Sequence, residues 1–239
     1  MDTILIVGAS GQIGQRLAES LIKKGRKVIG ISRTGGDYTF EHHTVDITKR
    51  EQVESFCKTL AVRNINLDGL VAIVGTTSPP KKSQANTPEL QDISNFETIM
   101  DVNLISLYRL IHMLKNQFSE GSSIVTFSSI GAALGFPGNP AYQCSKAAIE
   151  ALSRSLAYDL RNYGIRCNSL RLGYIKSGMT LESYSDEKRR LDRASRTLMD
   201  RWGEISEVIG PVLFLLSSES SYMTGSVITV DGGWSAKGM

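Results

Sequence analysis

Short apolar runs alternate with amphipathic stretches along the whole chain. Residues 4–7, 27–31, 70–74, 123–127, 166–170 and 227–230 read as strands buried on both faces. Between them the spacing becomes helical. Ile13, Leu17 and Leu21 recur every four residues and share one helix face. Ile99, Met100, Asn103, Leu104, Leu107, Ile111 and Leu114 mark a second face, and Ala147, Ala151, Ser155 and Tyr158 a third helix whose small residues allow close packing. Alternating strands and helices predict a parallel sheet covered on both sides, in one doubly wound domain spanning residues 1–239. Two segments break the rhythm. Residues 76–87 hold Pro79, Pro80, Lys81 and Lys82 and are expected to form a surface loop. Residues 176–200 hold Lys188, Arg189, Arg190 and Arg193. A solvated helix face is the first reading of that charge run, and a lid over a pocket is the second.

Composition narrows the partners. The chain has 239 residues, 41% hydrophobic and 21% charged, with a net charge of +3. That charge is too small to make nucleic acid or an anionic membrane the expected partner. No apolar stretch approaches the ~20 residues that span a bilayer. The start of the chain lacks the pattern of a secretion signal. Cys57, Cys144 and Cys167 are odd in number, far apart and without a CxxC pair. They predict neither a disulfide framework nor a zinc site, and they fit a reducing cytoplasm.

The first strand runs into Gly8-Ala9-Ser10-Gly11-Gln12-Ile13-Gly14, which opens the first helix. This is the context a dinucleotide-binding loop requires. Gly8 permits a tight turn, and Gly11 lets backbone N–H groups approach a diphosphate. Ser10, Gln12 and Ile13 belong to the same turn, and Gly14 lets the helix pack on the strand. The positive end of the helix dipole then faces the phosphates.

Tyr142 and Lys146 stand four residues apart and share a helix face. An ammonium beside a phenol stabilises the phenolate, so the tyrosine can move a proton near neutral pH. Lys146 can also donate hydrogen bonds to ribose hydroxyls. A bare tyrosine–lysine pair is common by chance; its surroundings decide the matter. Ser128-Ser129-Ile130-Gly131, Pro137-Gly138 and Tyr142 through Lys146 together resemble the central block of the classical short-chain dehydrogenase/reductase family, with Ser129 13 residues before Tyr142.

The resemblance implies a Rossmann-like fold with a mostly parallel seven-stranded sheet and helices on both faces. It implies that Ser129 holds the substrate oxygen beside Tyr142, with Ser128 as the competing assignment. Asn103 matches the family's helix asparagine, which bends its helix and supports a water relay to the lysine. Asp46 resembles the aspartate that contacts adenine, with Ile47 beside it; capping of the next helix is its structural alternative. Tyr222 through Gly225 and Val230 through Gly233 match the family's C-terminal end. Dimers or tetramers are implied, packed through the helix of Tyr142 and the last strand.

The chain departs from the family in three places. Gln12 replaces a glycine, so the glycines fall as in members that act on nucleotide sugars. Only Gly75 survives from the motif after the fourth strand. Leu172 replaces the proline before Gly173, and Ile175 and Ser177 follow, with Ser177 where a threonine usually contacts the nicotinamide amide. The end of the second strand reads Ser32-Arg33-Thr34 where NAD enzymes usually carry an acid. Arg33 can pair with a 2′-phosphate, and Ser32 and Thr34 can add hydrogen bonds. The expected cofactor is therefore NADP(H), with NAD(H) as the alternative and no metal. The expected activity is hydride transfer between that cofactor and a small carbonyl or alcohol substrate. Two rival readings are a keto-sugar or nucleotide-sugar reductase and a dinucleotide-binding regulator without turnover.

Overall fold

The computed structural model describes residues 2–77 and 91–237. Seven strands form one sheet in the order β3-β2-β1-β4-β5-β6-β7. They are β1 (Thr3–Val7), β2 (Lys27–Ser32), β3 (Glu41–Thr44), β4 (Leu67–Ala72), β5 (Phe118–Ser129), β6 (Arg166–Leu172) and β7 (Val227–Val230). Every pairing is parallel, so the sheet is more regular than the mostly parallel one expected. The strand order reverses direction between β1 and β4, the place where doubly wound folds bind their ligands.

The helices are α1 (Gln12–Lys23), α2 (Arg50–Val62), α3 (Ile93–Met100), α4 (Ser106–Met113), α5 (Pro140–Asp159), α6 (Leu181–Ser185), α7 (Glu187–Ser195) and α8 (Ile205–Leu216). Two apolar layers cover the sheet. One joins Leu5, Ile29, Leu70 and Ile124 to α2, α4 and α5; the other joins Ile4, Ile6, Val71 and Val125 to α1 and α8. These strands read as continuous apolar runs because both of their faces are covered.

The second predicted helix is in fact α3 and α4 joined by a widened π-helical turn over Asp101–Ile105, centred on the buried Asn103. Such a bulge turns a side chain out of helical register at a functional position. Residues 78–87 of the predicted loop lie outside the described residues. Asp46 does not cap α2: its carboxylate accepts from Thr48 N at 3.0 Å and Thr48 Oγ1 at 2.8 Å, and α2 starts later, after Lys49. The Asp46 side chain is thus spent on the turn that precedes the helix. Among the described residues no helix is long and apolar enough to cross a membrane.

Candidate active site

A cavity of about 400 Å³ lies along the C-terminal ends of β1, β4, β5 and β6. Its floor is the turn after β1. Gly8 adopts φ +92°, and a Cβ there would stand 3.2 Å from Val74 N. A Cβ on Gly14 would lie 2.5 Å from Gly8 O, so this helix can approach the turn only as glycine. Gly8, Ser10, Gly11, Gln12 and Ile13 line the cavity. Gly14 does not; it is buried behind the turn and shapes it. No side chain caps the start of α1. Its first N–H groups therefore require partners from outside the helix, which a diphosphate provides.

The next wall comes from the ends of β2 and β3. Ser32, Arg33, Asp46 and Ile47 all line it. Arg33 is exposed and makes no ion pair among the described residues. Ser32 is less free than expected. Its hydroxyl donates to Thr34 O at 3.0 Å and stands 2.6 Å from His42 Nε2. Gly75, Gly173, Ile175 and Ser177 line the far side. The Ser177 N–H donates to Thr180 Oγ1 at 3.1 Å, which starts a short turn over the cavity.

The reacting end is built from β5 and α5. Asn139 caps α5 by accepting from Tyr142 N at 3.3 Å, and Pro140 follows as the first helical residue. This fixes Tyr142 in the first turn, with Lys146 one turn later. The adjacent serines at the end of β5 point opposite ways, as alternation along a strand demands. Ser128 Oγ lies 2.8 Å from Glu150 Oε1 and 3.1 Å from Lys146 O, and Glu150 is held by Arg171 through bonds of 2.8 and 2.7 Å. Ser129 instead faces the Tyr142 phenol, on which it acts to lower the pKa, and accepts from Gly131 N at 3.2 Å. The structure thus brings Ser129, not Ser128, to Tyr142.

Lys146 is buried and donates from Nζ to Phe127 O at 2.9 Å. Nζ is 5.7 Å from the Tyr142 ring centre, and a Cβ at Gly75 would be 3.1 Å from it. Burial lowers the Lys146 pKa to about 8. Burial also pushes the Tyr142 phenol up; Ser129 opposes this, and the Tyr174 phenol adds to it. In the protein alone, loss of water thus sets the direction of the Tyr142 shift.

Asn103 does not line the cavity. Its Oδ1 accepts from Thr76 N at 2.7 Å, and its Nδ2 donates to Thr76 O at 3.0 Å and Ser145 Oγ at 2.9 Å. It ties the loop after β4 to α5. Three features escaped the sequence reading. Thr76 is one, and its only signal was its place after Gly75. Thr180 is the second. The third is an aromatic wall of Phe136, Tyr174, Tyr184, Trp202 and Trp234, whose rings meet at 5.1 to 6.2 Å. These aromatics are scattered in sequence, so no spacing betrays the wall.

A glycine turn, an uncapped helix start and a serine–tyrosine–lysine set share one cleft. The family model described as enoyl-(acyl carrier protein) reductase matches residues 8–235. The chain is a short-chain dehydrogenase/reductase. Its similarity to relatives in this family runs end to end. It is 32% identical to 2-dehydro-3-deoxy-D-gluconate 5-dehydrogenase of Bacillus subtilis, over 97% of this chain and 94% of that one. It is 32% identical to 3-oxoacyl-(acyl-carrier-protein) reductase of Rickettsia felis, over 97% and 95%. The ligand-free aldohexose dehydrogenase of Thermoplasma acidophilum superposes with a TM-score of 0.88 at 29% identity, over 99% and 95%. As a short-chain dehydrogenase/reductase the protein is an oxidoreductase that uses a nicotinamide cofactor.

Proposed function

We propose that the protein is an NADP(H)-dependent ketone reductase and alcohol dehydrogenase in which Tyr142 moves the proton. The observation that carries this reading is that Ser129, Tyr142 and Lys146 line one cofactor-sized cleft. Nicotinamide bound there supplies or accepts the hydride. Ser129 donates to the substrate oxygen and holds it beside the phenol. Tyr142, kept protonated at neutral pH by burial, gives its proton to that oxygen during reduction. Lys146 offers N–H donors to the ribose hydroxyls and a positive charge near the phenol. Asn103 is a positioning residue: by clamping Thr76 and Ser145 it sets the spacing between the loop and α5 and supports the proton relay behind Lys146.

Arg33 supports the choice of NADP(H), since an unpaired guanidinium at the mouth suits a 2′-phosphate. Residues 176–200 serve as the substrate lid of a single domain. The exposed face of α5 at Cys144, Ala147, Ala151 and Ser155 supports pairing of two subunits in a homodimer or homotetramer of the cytoplasm.

A second reading is favoured by the aldohexose dehydrogenase and the gluconate-type dehydrogenase among the similar proteins: a keto-sugar or sugar acid as substrate. The test is NADPH and NADH consumption with a panel of ketones, keto-sugars and their alcohols, in the wild type and Tyr142→Phe. The variant is expected to bind NADPH normally and to lose about a thousandfold in turnover. Retained turnover in Tyr142→Phe contradicts the assignment, and absence of turnover by the wild type favours the regulator reading.

A further inference from the structure

Three arginines of α7 and its C-terminal end lie three residues apart, each over an aromatic ring. Arg190 lies 5.7 Å from Tyr184, Arg193 4.5 Å from Tyr174 and Arg196 5.8 Å from Trp234. Two of them have carboxylate partners. Arg190 pairs with Glu187 at 3.9 Å and Arg196 with Asp192 at 3.2 Å. Arg193 pairs with no acid among the described residues, and its Nη1 is out of reach of solvent without a hydrogen-bond partner.

A guanidinium is charged at every accessible pH and presents its donors in the plane of the group. Stacking on the Tyr174 face satisfies the flat side of that group and leaves its edge wanting an acceptor. Burying such a donor unpaired is costly, so its persistence calls for a partner that the folded chain does not supply. Tyr174 is the link between Arg193 and the reacting end, since Arg193 lies 4.5 Å from its ring. Tyr174 lies two residues beyond the end of β6, and its phenol acts electrostatically on that of Tyr142. On the other side Tyr174 packs on Trp234 at 5.1 Å, and Trp234 on Phe136 at 6.2 Å, at the far rim of the turn after β5.

We propose that Arg193 determines substrate specificity by pairing with a carboxylate, so that the substrate is a small oxo- or hydroxy-carboxylate. Its carbonyl or alcohol carbon lies at Ser129 and Tyr142, its carbon chain runs along the Tyr174 ring, and its carboxylate meets the Arg193 fork. Arg193 is only half-buried. A carboxylate reaches it from the open side, and rotation about the side-chain torsions replaces the unpaired Nη1–H with a two-point charged pair. Arg190 and Arg196 cannot substitute, because Glu187 and Asp192 already occupy them. This inference rests on the oxidoreductase reading for the position of the reacting carbon, but the carboxylate contact is measurable without turnover.

The test uses matched pairs: acetoacetate with methyl acetoacetate, levulinate with methyl levulinate, and 5-keto-D-gluconate with D-fructose. NADPH consumption is followed in the wild type, Arg193→Gln and Arg193→Lys. Binding of the same carboxylates to NADPH-loaded protein is followed by calorimetry. The wild type is expected to favour the carboxylate in at least one pair. Arg193→Gln should lower that carboxylate-to-neutral ratio of kcat/KM by about tenfold or more, mainly through KM, with Arg193→Lys intermediate. The NADPH dissociation constant of the variants controls for folding. A preserved ratio in Arg193→Gln, or a wild type that binds none of the carboxylates, overturns the proposal. Carboxylate binding that needs Arg193 without any reduction upholds it and removes the proposed ketone-reductase function instead. Reduction of neutral ketones with no preference for acids does the reverse.

Discussion

The cofactor cleft and the α7 segment are built on opposite principles. The wall under the cofactor site is backbone: the Gly8 turn, the uncapped start of α1 and Gly14 pressed against Gly8 O. The α7 segment, the second region, is held by side chains. α7 has no fully buried residue, Met179 and Leu191 are more than half exposed, and its arginines rest on rings from three other segments. The first wall tolerates almost no added atom, yet any sequence that keeps its glycines keeps its shape. The second, with no fully buried residue in α7, accepts many substitutions without loss of fold. The shape of the first is therefore fixed by what is missing from side chains, and that of the second by what is present in them.

Replacing Gly14 breaks the first wall most severely. Gly14→Ala puts a methyl group against backbone that cannot yield, and should destabilise the protein by about 1–3 kcal/mol while weakening NADPH binding at least tenfold. Thermal melting and fluorescence titration of NADPH check this. An equally large change on α7, Leu191→Ser, sets the comparison, since an exposed side chain contributes little.

Lys146 lies inside the cleft, and its replacement separates function from stability. Its pKa falls from 10.5 to about 8 through burial, so below about pH 8 the folded protein carries an ammonium that the unfolded chain holds more easily. The penalty is present at neutral pH and fades as pH rises from about 8 toward 10.5. Lys146→Met should therefore raise cofactor-free stability at pH 7 by about 1–2 kcal/mol, after allowance for the lost bond to Phe127 O. It should also lower activity at least about a hundredfold. The stability difference should shrink above pH 8, as urea unfolding at pH 7, 8.5 and 10 will register.

The smallest effect is expected at the mouth. Arg33→Ala should raise KM for NADPH about tenfold and leave NADH within about twofold. Equal changes for both cofactors would show that the arginine does not read the 2′-phosphate.

Much of the first wall was legible in the sequence, because glycines between a strand and a helix have few other uses. β7 falls where its apolar run predicted, and β1 begins one residue earlier. β4 ends before Ile73 and Val74, whose apolar side chains suggested more strand; their backbone instead closes over the Gly8 turn and lines the cavity. β3 escaped notice since Glu41-His42-His43-Thr44 is a polar edge strand with only partly buried residues. Tyr142, Lys146 and Ser129 were readable as a set because helix and strand periodicity fix which residues share a face. The way Asn103 works was not, because the π-helical turn that buries it leaves no mark in the spacing of its neighbours. The arginine run on α7 looked like a solvated face. Its partners Tyr174 and Trp234 lie after β6 and after β7, and only the folded chain brings them under it.

The account turns on Tyr142 carrying the proton, and pH profiles in both directions test that most directly. With burial holding the phenol above its ordinary pKa, kcat/KM for NADPH-driven reduction should stay level through neutral pH and fall in the alkaline range. Oxidation of the corresponding alcohol should rise over that same range. Opposite limbs that disappear in Tyr142→Phe are the predicted result. Limbs of the same sign, or limbs that survive in Tyr142→Phe, would contradict it.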